Sequence, residues 1–215
     1  MTIKVFMVDD HALVRAGMRM ILSKEADIVV VGEAESGEEA LPQIRKLRPH
    51  VVLCDLHLPG ISGFEVTERI VKGKGGPRVV VVSVLEDGPM PKRLIEVGAS
   101  GYVGKGGDAD ELVRAVREVA RGKRYLASTV AQHLALSNMD GNTSPFDDLS
   151  PREVEVAMLI GQGMRQHDIA TRLSLSPKTV STHKTRLFAK LGVRDTIALS
   201  RLLTQYGVAD PAPVG

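Results

Sequence analysis

Tryptophan is absent from these 215 residues, and aromatic side chains make up only 3% of them. That disfavours a base-stacking surface for single-stranded nucleic acid. Cysteine occurs once, as Cys54, so the chain can form neither an internal disulfide nor a cysteine zinc site. No apolar run approaches the roughly 20 residues of a bilayer-spanning helix. The amino terminus opens directly on the strand-like Ile3-Lys4-Val5-Phe6-Met7-Val8 rather than on a signal peptide, which predicts a cytoplasmic protein. A large excess of one charge sign is also lacking. The net charge is +2, and residues 1–146 balance acids against bases. What is present, 43% hydrophobic and 25% charged residues, fits a globular chain of one or two domains.

Short Val- and Ile-rich runs at 3–8, 28–32, 51–54, 79–84 and 101–103 read as buried parallel strands. Helical spacing fills the gaps. In 12–22, Leu13, Ala16, Gly17, Met20 and Ile21 form one stripe; in 37–48, Ala40, Leu41, Ile44 and Leu47 form another. Further helices are expected near 64–72, 90–97 and 109–121. Five strand–helix repeats predict an α/β fold with a doubly wound parallel five-stranded sheet, whose function sits beyond the carboxyl ends of its strands.

Those ends carry chemistry. Asp9 and Asp10 follow the first strand and Asp55 ends the third, its neighbour at the switch point, so the three carboxylates should converge. A cation would relieve their repulsion, and an oxygen-only site beside a phosphate suits Mg²⁺. A carboxylate can also attack phosphorus to give an aspartyl phosphate. Lys105 follows the fifth strand as a point charge for a phosphoryl group, and Ser83 ends the fourth as a hydroxyl donor. Each residue alone has a bland alternative: strand-end acids are often merely solvated or capping. The combination on four strand ends is the stronger signal. Cys54 reads as an inert core residue. His11 and His57 flank the acids, with no second group converging on them, and are expected on the surface.

Past residue 122 the pattern changes. A helix near 128–136 leads into Ser137-Asn138-Met139-Asp140-Gly141-Asn142-Thr143-Ser144-Pro145, so 123–148 reads as a linker. Residues 149–207 contain no strand pattern and read as four short helices, with 208–215 as a flexible tail. Ser150-Pro151-Arg152-Glu153 is a capping box, and Ser176-Pro177 marks a second helix start. Helices at 167–173 and 177–190, joined by Ser174-Leu175-Ser176, suggest a helix-turn-helix. Ala170, Leu173, Leu175 and Val180 gather across that turn. Val180, Leu187 and Leu191 form the inner stripe of the second helix. Lys178, Ser181, Thr182 and Thr185 then lie opposite, with Arg186 and Lys190 at the edge and no acid among them. Small hydroxyls flanked by cations suit a DNA major groove, and the helix amino-terminal amides near Lys178 and Thr179 suit a phosphate. The bland alternative is an ordinary amphipathic helix. His183 reads as structural, and Lys184 stays open between core edge and phosphate contact.

Two resemblances now attach to these residues. Residues 1–122 resemble the receiver domain of two-component response regulators, a flavodoxin-like fold. The match is carried by Val8-Asp9-Asp10-His11, Asp55 through Gly63, Ser83, Gly98-Ala99-Ser100-Gly101-Tyr102 and Lys105. It implies Asp55 as phosphoacceptor for a sensor histidine kinase. It also implies Mg²⁺ on Asp10, Asp55 and the His57 carbonyl, with Asp9 acting through water, and Ser83 and Tyr102 as a switch pair. Gly106 after the lysine, and the proline-rich Gly88-Pro89-Met90-Pro91, depart from the family pattern. Residues 149–207 resemble the LuxR/NarL/FixJ-type helix-turn-helix domain. That resemblance implies base contacts around Ser181, Thr182 and Thr185, a last helix near 195–206 that pairs homodimers, and a two-fold promoter site. Leu199, Leu202 and Leu203 supply that pairing or merely core. The stretches Gly122 through Ser128, Ala135-Leu136-Ser137 and Ser144-Pro145-Phe146 resemble the GacA/UvrY branch, which implies a hybrid sensor kinase as phosphodonor and small-RNA promoters as targets. Three competing readings fit less well. A phosphatase predicts an acid at position 57, a ligand-gated regulator predicts an aromatic pocket, and a phosphate-independent receiver does not need the intact acids. The chain is expected to be no enzyme beyond its own phosphotransfer and dephosphorylation.

Overall fold

The computed structural model describes residues 2–73, 75–84, 86, 89–139, 144–173 and 175–206. The expected tail 208–215, Gly88 and Ser174 lie outside them. The chain divides into two compact units, Met1–Glu86 with Pro91–His133, and Asp87–Met90 with Leu134–Gly215. No helix among the described residues is long and apolar enough to cross a membrane.

The first unit is built on β1 (Ile3–Val8), β2 (Ile28–Ala34), β3 (Val51–Asp55), β4 (Arg78–Ser83), β5 (Gly101–Gly104) and β6 (Tyr125–Leu126). All pairings are parallel, in the order β2-β1-β3-β4-β5-β6. The sheet therefore has six strands rather than the expected five. β6 falls in the segment read as linker: its two residues are too few for a period to register, but Tyr125 and Leu126 pair with Gly101 and Tyr102. Helices α1 (Ala12–Leu22), α2 (Gly37–Leu47), α3 (Gly63–Lys72), α4 (Pro89–Val97) and α5 (Ala109–Ala120) connect the strands. Val5, Met7, Val51, Leu53, Val80 and Val116 are buried in the core, each burial stabilising by about 1.5–3 kcal/mol.

The inner face of α1 is a correction. Leu13 is 86% and Met20 61% exposed, whereas Arg15, Met18 and Leu22 are buried. The helix is apolar on two adjacent stripes, and the sheet takes the one of Val14, Met18, Ile21 and Leu22, on which Arg15 also lies. α2 behaves as expected, burying Ala40, Leu41 and Ile44. Pro89 and Pro91 fall in the first turn of α4, where a missing N–H leaves no bond unmade. α6 (Ser128–Met139) follows β6, with Ala127 and Val130 buried.

The second unit contains a 3₁₀ turn (Pro145–Asp148), α7 (Pro151–Gly161), α8 (Gln166–Arg172), α9 (Pro177–Leu191) and α10 (Thr196–Gln205). The capping box forms as its sequence requires: Glu153 N–H donates to Ser150 Oγ at 3.3 Å, and Ser150 N–H to Glu153 Oε2 at 2.7 Å. Phe146, Val154, Ala157, Ile169, Leu187, Leu199 and Leu203 make the core. Leu199 and Leu203 are thus core residues, which closes that alternative for them.

Candidate metal centre and nucleic-acid interface

Parallel pairing fixes where the acids stand. Val8 pairs with Cys54, so Asp9 and Asp55 leave adjacent strands at the same level. Both are buried, and Asp10 is partly exposed. Ser83 pairs with Gly104, and Lys105 N–H donates to the Ser83 carbonyl at 2.8 Å, which sets the lysine at the same rim. Its ammonium lies 2.7 Å from Asp9 Oδ2 and 2.8 Å from Asp55 Oδ2. Burial pulls the Lys105 pKa down, but the charges and hydrogen bonds of Asp55 and Asp9 outweigh it and raise the pKa above 10.5. One cation against three carboxylates leaves the pocket short of positive charge.

Donor atoms of Asp9, Asp10, His11 and Asp55 all lie within 4.8 Å of one another. Such an oxygen-rich set fits a divalent cation. His11 was expected to have no part here. It is half-exposed, yet its Nδ1 sits 2.7 Å from Asp10 Oδ1. His57 is corrected outright: at 9% exposure it is buried. Cys54 is fully enclosed beside Asp55, and burial, then the Asp55 and Asp9 charges, push its thiol pKa far up. It is a buried core residue, as expected.

Backbone fit fixes Asp55. A methyl group on Gly63 would stand 1.8 Å from the Asp55 carbonyl oxygen, so only glycine lets α3 start against the end of β3. Ser62 caps that helix, accepting from Glu65 N–H. Tyr102 is fully buried on β5, paired with Val81 two residues before Ser83. Gly106 has open space around it, so the departure from the family pattern there costs nothing sterically.

Sequence reasoning missed two supports. Arg15 donates to the Asp9 carbonyl at 2.5 Å and pairs with Glu35. Glu38 accepts from Ile61 N–H at 2.9 Å and lies against Gly60, in the loop after Asp55. The inner stripe expected for α1 leaves Arg15 out, and nothing local marks Glu38.

In the second unit, Gln166 Nε2 donates to the Pro177 carbonyl at 2.9 Å and Leu175 N–H to that of Ala170 at 2.8 Å, setting α8 against α9. Ala170, Leu173, Val180 and Leu187 are buried. Lys178, Ser181, Thr182, Thr185 and Arg186 stand exposed on α9. Thr182 and Thr185 donate to the carbonyls four residues back, holding their hydroxyls in place at 3.0 Å each. Three other candidates are engaged within the unit. Thr179 is half-buried at the Ser176 cap, Lys184 lies over the Phe188 ring at 5.3 Å, and Lys190 reaches Glu153 Oε2 at 2.7 Å. His183 is half-buried, and burial, then the Arg152 charge, lowers its pKa.

Both parts of the chain match known protein families. Residues 5–117 match the response regulator receiver domain, and residues 147–203 match the bacterial regulatory proteins of the luxR family. Response regulator GacA of Pseudomonas aeruginosa is 42% identical over 98% of this chain and 99% of its own length. Response regulator UvrY of Escherichia coli is 40% identical over 97% of this chain and 96% of its own. Among solved structures, RcsB from Salmonella enterica serovar Typhimurium, bound to promoter rprA in the presence of the phosphomimetic BeF3−, aligns with TM-score 0.70. It is 27% identical and covers 95% of this chain and 99% of that one.

Proposed function

Because this chain belongs to the response regulators that join a receiver domain to a LuxR-type DNA-binding domain, we propose the following assignment: Asp55 is its phosphoacceptor and α9 its DNA-reading helix. One observation carries this reading. A single lysine, Lys105, stands within 2.8 Å of two strand-end carboxylates, Asp9 and Asp55.

Asp9, Asp10 and Asp55, with the His57 carbonyl, would hold Mg²⁺, which would supply positive charge to offset that of the carboxylates and of an incoming phosphoryl group. An Asp55 oxygen attacks the phosphorus of a kinase phosphohistidine; the new O–P bond forms as the P–N bond breaks and imidazole leaves. Lys105 balances the charge gathering on the phosphoryl oxygens, and Ser83 donates a hydrogen bond to one of them. Tyr102 packs inward behind Ser83 and registers the change. Arg15 keeps the Asp9 main chain in place. The chain accelerates only its own phosphotransfer and dephosphorylation, in the cytoplasm.

On DNA, Ser181, Thr182 and Thr185 face base edges, while Lys178, Arg186 and the α9 amino terminus address phosphates. Thr179, Lys184 and Lys190 support this face from the side. The exposed Ile197 and Tyr206 of the α10 region remain for a second copy, giving a two-fold promoter site. The full-length likeness to GacA and UvrY supports a sensor histidine kinase as donor and small-RNA promoters as targets.

A gel-shift series tests the switch. Wild type treated with a small phosphodonor is expected to bind promoter DNA more tightly than untreated protein, and Asp55→Ala to ignore the donor. Equal affinity in all three removes the claim.

A further inference from the structure

At the end of the receiver sheet away from Asp55, where β3 and β4 begin, lies a cleft of about 880 Å³. Ile44, Pro49 and Ile70 give it a buried apolar floor. Its charged lining is cationic throughout: Arg45, Arg48, Arg69 and Arg78 contribute, and no Asp or Glu does among the described residues. Glu65 pairs with Arg69 at 2.5 Å. Arg45, Arg48 and Arg78 are exposed, and none of them has an ion pair among the described residues.

Bases at helix carboxyl ends ordinarily offset the helix dipole. That accounts for Arg45 and Arg69, which sit in the last turns of α2 and α3. It does not account for Arg78, which opens a strand, nor for Arg48. Arg48 caps α2 at φ 46, the one left-handed residue other than glycine among the described residues. Glycine is the residue such a cap ordinarily takes, and an arginine there retains backbone strain while placing its guanidinium at the cleft. His50 Nδ1 accepts the Lys4 N–H at 2.9 Å, which leaves Nε2 with the proton, as a donor. Guanidinium forks match phosphate oxygens in pairs.

We propose that this cleft binds a small phosphorylated ligand. Arg45, Arg48 and Arg78 hold the phosphates, and the ring or apolar body rests on Ile44, Pro49 and Ile70. A nucleoside triphosphate is the simplest molecule with both parts. The site shares no residue with the phosphoacceptor pocket, so the two readings stand or fall separately.

Calorimetric titration of the full-length protein, in EDTA and at constant ionic strength, tests this with ATP, tripolyphosphate and adenosine. ATP is expected to bind, tripolyphosphate about tenfold more weakly, and adenosine not measurably. Arg48→Gly is the deciding variant, because glycine suits the left-handed cap. Its Tm should hold or rise while ATP affinity falls about tenfold or more. Arg45→Ala and Arg78→Ala should each weaken ATP as well. Absence of ATP binding, or unchanged affinity in these variants, overturns the site. Equal affinity for ATP and tripolyphosphate overturns the role given to the apolar floor.

Discussion

At the scale of single residues, the acidic pocket is defined by an imbalance that Lys105 only partly corrects. Its side chain is 11% exposed and touches two buried carboxylates. Removing one partner from such a cluster leaves uncompensated charge, which costs about 3 kcal/mol or more. Lys105→Met is therefore expected to lower stability by that order in metal-free buffer, read by urea unfolding. The sign with pH follows from a native pKa raised above 10.5. The lysine contribution is complete below the unfolded pKa and disappears as pH rises through the higher native one. Wild type should thus lose stability in strongly alkaline solution more steeply than Lys105→Met, and parallel curves for the two would remove the pairing from the account. The position of Lys105 was legible because a strand end places it. Arg15 and Glu38 were not, since each acts through a backbone atom that another segment supplies.

At the scale of elements, legibility tracked local chemistry. The starts of α7 and α9 were readable because serine, proline and, for α7, glutamate fix a cap within four residues. β6 was not readable, because two residues become a strand only when Gly101 and Tyr102 offer an edge. The face of α1 was misread because two apolar stripes compete, and Met18 and Leu22 take the core positions. The α9 surface divides by reach. Lys178→Ala should weaken binding alike on all DNA sequences and lower the salt slope by about 1, whereas Thr182→Ala should act mainly on the preferred site, by about 1–3 kcal/mol. Competition gel shifts at two salt concentrations separate these; the opposite pattern reverses the face. Glu153 ties the α7 cap to Lys190 of α9. Burial raises its pKa, but Lys190 and Ser150 outweigh this, and the result is lowered from 4.5. Its contribution is therefore present above that value and is lost as pH falls through the native pKa. Glu153→Ala should cost about 1 kcal/mol near neutrality and flatten the acid limb of the melting profile; an unaltered acid limb would deny Glu153 that role.

At the scale of the molecule, the two units carry separable chemistry, and a divalent cation can tell them apart. Asp9, Asp10, His11 and Asp55 all belong to the first unit, so an ion held there stabilises that unit alone unless the two unfold as one. Binding to the native form adds about 2.7 kcal/mol at a hundred dissociation constants of free ion. Scanning calorimetry of the full chain with added Mg²⁺ should therefore raise one transition and leave the other in place. Asp10→Asn removes one of the clustered charges. It should raise the metal-free Tm of that transition by relieving repulsion, and it should abolish most of the response to Mg²⁺. A variant that still responds as wild type does would move the ion off Asp10. Switching makes a larger demand: moving a two-state equilibrium from 1:99 to 99:1 takes about 5.5 kcal/mol of preference for one state. The ion alone, at about half that figure, falls short even if all of its binding energy favoured one state. On the proposed assignment the remainder comes from the phosphoryl group itself, through Lys105 and Ser83. On this argument Mg²⁺ without phosphodonor should leave promoter affinity within about tenfold of the metal-free value. A full switch by Mg²⁺ alone would show that the phosphoryl group is not what closes the gap.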